Sequence, residues 1–276
     1  MKKTILVAVD FSKISEKAIE QAAGILKTTK GDLLLFHVVK NSKELFAAQK
    51  KIKPYRVKVQ EKYPDITVKA LLRIGDFLES IGYAALENRA ELIVMGTHGM
   101  KGLQFITGSR ALKIVSNSEV PIIIVQEDTE VTEGFKNMLL PMTYDKDSKQ
   151  KLAFAKHLAL YFSSKIFLLA PDEKDEFLQN QIERDINFSK QYFKDANLEY
   201  QVEHKPGVRS LEDYLEYSEE QEVDLIVFMN QPESAYIFFD DRVQKVITNK
   251  SRIPVLLINP KTTSIANIFG NYSGQG

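Results

Sequence analysis

Gly96, Gly99 and Gly108-Ser109 are the residues of this 276-residue chain whose types and spacing suit the binding of an anion. Glycine reaches φ > 0 and places no Cβ between a ligand and the main chain, so Gly96 and Gly99 suit a loop wrapped around phosphate oxygens. Gly108-Ser109, where a helix should begin, would present free N–H groups and a hydroxyl at the end of the helix dipole that favours negative charge. Two glycines in a loop are equally compatible with an ordinary turn. The elements around them therefore decide the reading.

The strand pattern Leu92-Ile93-Val94-Met95 runs straight into Gly96. Ile5-Leu6-Val7-Ala8-Val9 is a similar apolar run that ends at Asp10, and Leu33-Leu34-Leu35-Phe36-His37-Val38-Val39 is a second. Continuous rather than alternating apolar runs mark strands of a parallel sheet covered on both faces. Between them lie helical patterns. Ser12 and Ser15 offer N-caps to a helix reaching Leu26, a charged helix covers residues 43–62, Gly75-Asp76 opens one through about residue 88, and another is expected over 109–116. With strands over 66–73 and 120–125, the alternation predicts right-handed βαβ units.

Lys+Arg and Asp+Glu both number 37, so the net charge is zero and neither nucleic acid nor an anionic membrane is expected as a partner. The absence of cysteine excludes disulfides, thiolate metal sites and a cysteine nucleophile. No apolar run approaches the ~20 residues of a membrane span, and Met1-Lys2-Lys3-Thr4 leads directly into a strand pattern, so the expected location is the cytoplasm.

The order of elements then repeats. A shift of 133 residues places Ile5-Leu6-Val7 on Met138-Leu139-Leu140, Leu92-Ile93-Val94 on Leu225-Ile226-Val227, and Val120-Pro121-Ile122 on Ile253-Pro254-Val255. A period this long means two whole domains. They are expected over residues 1–127 and 135–260, joined by a polar acidic linker and followed by a Gly/Ser/Asn-rich flexible tail over 261–276. At the same shift Gly96 falls on Met229, Gly99 on Pro232, Gly108 on Asp241, Ser109 on Arg242 and Asp10 on Thr143. The scaffold is repeated and the anion cradle is not, since Pro232 lacks an N–H and Asp240 and Asp241 would oppose a phosphate.

On these residues the chain resembles the universal stress protein family, in its tandem two-domain form. The resemblance covers nearly the whole chain in element order and is specific in the first half. It implies an α/β fold of two tandem doubly wound domains, each a five-stranded parallel sheet of order 3-2-1-4-5 with helices on both faces, and ATP held at the switch point between strands 1 and 4. Carried over by position, Asp10 would contact the ribose, Ala8 and Val9 would line the pocket, the Val38 main chain would hydrogen-bond adenine, and Met95 would pack on the ring. Gly96, Gly99, Gly108, Ser109 and Arg110 would hold the phosphates, with Mg²⁺ accompanying them. His98 would face either the phosphates or solvent. The nucleotide-binding members space the two glycine pairs one residue further apart than this chain, in which residues 100–107 make eight.

Each position also has a structural role open to it: a strand-end turn for Asp10, core packing for Val38 and Met95, a solvated helix start for Arg110, a buried satisfied ring for His37. The function implied is that of an ATP-binding stress-response regulatory protein with one competent site, the second domain acting as a pseudo-dimer partner. Pairing of the two β-branched fifth strands would protect both sheet edges within one chain, and a homodimer of such chains follows by analogy. A nucleotide-free interaction module of the same fold is the alternative. No Walker A sequence, metal-ligand cluster or nucleophile constellation is present, which leaves at most slow ATP hydrolysis as an enzymatic activity.

Overall fold

A computed structural model describes residues 3–97, 118–142, 149–172, 174–206, 208, 211–230 and 245–259. Its first half contains β1 (Lys3–Ala8), α1 (Lys13–Thr29), β2 (Gly31–Val39), α2 (Ser42–Lys62), β3 (Thr67–Ile74), α3 (Phe77–Glu87), β4 (Leu92–Gly96) and β5 (Ile122–Val125). The second contains β6 (Asn137–Pro141), α4 (Gln150–Phe162), β7 (Lys165–Pro171), α5 (Glu176–Lys194), β8 (Tyr200–Lys205), α6 (Leu211–Glu220), β9 (Leu225–Met229) and β10 (Val255–Ile258). The helix expected over 109–116 lies outside the described residues.

The strands form one ten-stranded sheet of order β3-β2-β1-β4-β5-β10-β9-β6-β7-β8. Each half is parallel and has the doubly wound order 3-2-1-4-5. The apolar runs make this possible, because both faces of each central strand are covered: Leu6, Val7, Ile93 and Val94 have no accessible surface at all. Right-handed crossovers put α1 and α2 on one face and α3 on the other.

The expected pairing of the fifth strands is present. β5 and β10 run antiparallel, with Val255 opposite Ile124, Leu256 opposite Ile123 and Leu257 opposite Ile122. On the α1 face, α1 packs against α4 across this seam, and one hydrophobic cluster continues from Ile5 and Leu26 to Phe154 and Ile166. On the opposite face of the second half a separate cluster, which includes Leu139, Phe167 and Tyr217, packs partly buried Tyr214 and Leu215 of α6.

The apolar stripe of α5 divides. Ile182, Ile186 and Phe193 are fully buried, whereas Phe177 and Phe188 are 70% and 48% exposed, Phe188 stacking on Tyr192. Among the described residues no helix is long and apolar enough to cross a membrane.

Candidate functional site

A cleft of about 400 Å³ opens at the carboxyl ends of β1, β2 and β4, within the range of small-molecule sites. Its floor is Ala8, Val9, Val38 and Gly96, and its rims are the first turns of α1 and α3. In an open α/β sheet this is the switch point, where neighbouring strands send their chains to opposite faces and leave a crevice. The topology therefore makes the cleft before any side chain is considered.

The turn from β1 into α1 sets one wall. Asp10 Oδ1 accepts hydrogen bonds from the Ser12 N–H at 2.9 Å and from the Ser12 hydroxyl. The Ser12 hydroxyl oxygen in turn accepts from Ser15 N at 3.3 Å and caps α1. Phe11 between them has φ 65, a left-handed conformation that costs a non-glycine residue roughly 1–3 kcal/mol. Its ring lies 4.4 Å from that of His37 and 5.9 Å from that of Tyr55, which holds the strained turn in place. The Asp10 carboxylate is thus fixed at the cleft by Oδ1, and these bonds do not use Oδ2.

β2 supplies a main-chain edge. The Val9 N–H donates to Phe36 O at 2.8 Å, so Phe36 faces β1, whereas the Gly75 N–H donates to Val39 O at 3.1 Å, so Val39 faces β3. Successive residues of a parallel strand point their N–H and C=O groups to alternate sides. Val38 therefore directs both toward β1, beyond the last β1 residue, and into the cleft. His37 is half-buried and lines the same space, its Nδ1 donating to Val9 O at 2.6 Å. Burial lowers its pKa below the ordinary histidine value, opposed by that bond and by Asp10, so the ring favours its neutral form.

Gly96 has a packing reason to be glycine. A Cβ there would lie 1.8 Å from Ile14 Cγ2 on α1, so the end of β4 and the first turn of α1 approach as closely as only glycine permits. Met95 is fully buried in the core and does not line the cleft. Thr97 is fully buried as well, and its hydroxyl meets no partner among the described residues. Of the expected site residues, Ala8, Val9, Asp10, Val38 and Gly96 come together around the cleft. His98, Gly99, Gly108, Ser109 and Arg110 lie outside the described residues. Sequence reasoning passed over the Gly75–Leu78 rim, where Asp76 caps α3 by accepting from Leu78 N at 2.8 Å, and Lys40 beside it. A Gly-Asp pair after a strand was the available signal.

The matching strand ends of the second half carry different groups. Met142 N donates to Leu169 O at 2.8 Å, 133 residues from the matching bond of the first half, so Pro171 takes the place of Val38. Pro171 has no N–H to offer. Lys151, 2% exposed, donates its ammonium to Pro141 O at the end of β6, and Met229 replaces Gly96. Thr143, Pro232, Asp240, Asp241 and Arg242 lie outside the described residues.

Residues 1–126 match the model of the Universal stress protein family. Universal stress protein A homolog 1 of Coxiella burnetii (strain RSA 493 / Nine Mile phase I) is 27% identical over 138 residues, 45% of this chain and 95% of that protein. A universal stress protein from Archaeoglobus fulgidus DSM 4304 has a TM-score of 0.72 at 16% identity, over 93% of this chain and 96% of its own. The functionally unknown protein PA1789 from Pseudomonas aeruginosa PAO1 gives 0.65 at 12% identity, over 98% of this chain and 97% of its own. At these identities the two structural likenesses concern the fold, and they extend across both halves.

Proposed function

Residues 1–126 belong to the universal stress protein family, and from that premise we propose that the chain is an ATP-binding regulatory protein of the stress response. It carries one nucleotide site in its first half, over residues 1–127, and a second half, over residues 135–260, that serves as a fixed intramolecular partner. The observation that carries this reading is the main-chain edge of Val38, directed into a cleft of about 400 Å³ that also holds the Asp10 carboxylate. An exposed N–H and C=O on one residue complement the acceptor and donor on the edge of adenine. A carboxylate in the same cleft suits the two hydroxyls of a ribose.

In this reading Asp10 holds the sugar, Val38 the base, and Ala8 and Val9 the floor beneath them. Gly96 keeps α1 close, and Gly99, Gly108, Ser109, Arg110 and His98 meet the phosphates and the accompanying Mg²⁺. The family resemblance supports the phosphate assignments, and the switch-point rule for open α/β sheets supports the location.

Calorimetric titration of the full chain with Mg-ATP tests the proposal. About one nucleotide is expected per chain, since only one half offers the edge. Val38→Pro, which imports the residue of the second half, and Asp10→Asn should each weaken binding about tenfold or more, the worth of one hydrogen bond to a polar ligand group. Circular dichroism of each variant separates lost binding from lost fold. A native chain that gives neither heat nor thermal stabilisation with ATP overturns the proposal.

A further inference from the structure

A second and smaller cavity of about 50 Å³ lies on the α1 face at the seam between the halves, near the amino ends of β1 and β4. Its walls are mainly apolar, with Ile5 and Ile25 from the first half and Phe154, Leu158 and Leu256 from the second. Among the described residues one primary amine lines it. Lys3 Nζ sits 3.4 Å from His157 Nε2 and 3.1 Å from the centre of the Tyr161 ring, both on α4, while Glu91 borders the cavity just before β4.

The 133-residue repeat provides an internal control. It maps Lys3 onto Lys136, Glu91 onto Asp224 and His157 onto Gly24. At that second corner Asp224 accepts the N–H groups of Lys136 and Asn137 at 2.7 and 3.0 Å. The linker fills the space over Gly24, where a Cβ would lie 2.6 Å from Thr132 O. It is held there by Gln21 Nε2 donating to Thr132 O at 3.2 Å and by the Lys27–Glu133 pair at 2.6 Å. At the first corner the amine borders a cavity.

We propose that Lys3 is a site of Nε-acylation by a small activated acyl donor, an acyl phosphate or an acyl thioester. The neutral amine attacks the acyl carbon and forms the C–N bond. Collapse of the addition intermediate breaks the bond to phosphate oxygen or thioester sulfur, and the proton released from nitrogen leaves with the phosphate or thiol. The product is an uncharged amide, suited to apolar walls that disfavour an ammonium, and the cavity has room for an acyl group of few atoms.

Burial pulls the Lys3 pKa down to about 8, against the opposing charge of Glu91. About 20% of the amine is then neutral near pH 7.4, against ~0.1% for an exposed lysine. Weaker basicity lowers nucleophilicity, and a Brønsted slope of about 0.5, as for thiols, removes roughly tenfold of that gain. A net advantage of about tenfold remains. Among the described residues, Glu91 from the β4 side and His157 and Tyr161 from α4 are the titratable groups facing Lys3, and the amino terminus also acts on Glu91. Burial and Lys3 lower the His157 pKa to about 4, so that ring is neutral at the same pH.

The experiment exposes the native chain to limiting acetyl phosphate or acetyl-CoA near neutral pH and follows each lysine by peptide mass spectrometry. Lys3 should be modified about tenfold faster than exposed lysines such as Lys53 and Lys62 with at least one donor, which then identifies the source. The lead should vanish in urea. Glu91→Gln, which removes the charge holding the proton on, should widen it. A rate at Lys3 no greater than that of exposed lysines with either donor overturns the proposal, as does a lead that survives unfolding.

Discussion

The two halves share a fold down to single bonds and differ at the carboxyl edge of the sheet. The Val9–Phe36 bond of the first half and the Met142–Leu169 bond of the second are both 2.8 Å and 133 residues apart. Beyond them the first half opens into a cleft, whereas the second carries Pro171, Met229 and the ammonium of Lys151 at the matching places. The ladder and the apolar layers hold the fold, and neither needs anything past the strand ends. A parallel sheet can therefore keep its architecture while the residues at its two switch points differ.

The most forceful way to break this contrast is to put the second half's residue into the first. Gly96→Met drives a side chain into Ile14 and should destabilise the chain by about 3 kcal/mol, the upper range of overpacking, read as a lowered urea midpoint. A loss under about 1 kcal/mol would show that the approach of α1 does not require glycine. The converse exchange is Lys151→Ala, which gives the second half the alanine found at position 18. Removing a buried stem and its bond to Pro141 O should cost about 2 kcal/mol, and a loss near zero would mean that burying the ammonium already offsets what it contributes.

His157, whose counterpart is Gly24, makes the halves differ in acid. Its folded pKa of about 4 lies below the ordinary value of 6.5, so the unfolded chain takes up the proton first. Stability is then full above about pH 6.5 and falls as the pH drops toward 4, by roughly 1–2 kcal/mol after allowance for partial exposure. His157→Phe should flatten that part of a urea-unfolding pH profile. The smallest effect concerns matching residues 97 and 230. Thr97→Val, which removes a buried hydroxyl without a described partner, should raise stability by up to ~1 kcal/mol. Asn230→Val should lower it by a similar amount, because Asn230 donates to Asn259 at 2.7 Å.

Much of this was legible in the chain itself. Continuous apolar runs marked β1, β2, β4 and β5, because strands buried on both faces leave no alternation to obscure them, and the repeat carried the reading into the second half. Ser12 and Asp76 were recognisable as caps from their type and place. Asp10 and Gly96 could be placed at the switch point because topology alone takes strand ends there, whereas Val38 was named only through the family resemblance. Gly96 was read for its backbone freedom, whereas its first constraint is contact with a residue 82 positions earlier. Met95 was open to a pocket role or to core packing, and it lies fully buried off the cleft lining. The Lys3–His157 contact spans 154 residues, and no local pattern announces such a meeting. Phe177 and Phe188 sit in the stripe of α5 and are exposed, since periodicity gives a face and not its cover.

The antiparallel join of β5 to β10 has a consequence for numbers of molecules. Were the halves separate chains, the seam would form only above a threshold protein concentration. Tethering replaces that threshold with an effective concentration of millimolar order for a short connection, so the joined sheet persists at any dilution. It also frees the two sides from copying each other. A substitution in a symmetric pair appears on both sides of the axis, but here it appears once, and a single chain can change one crevice without changing its twin.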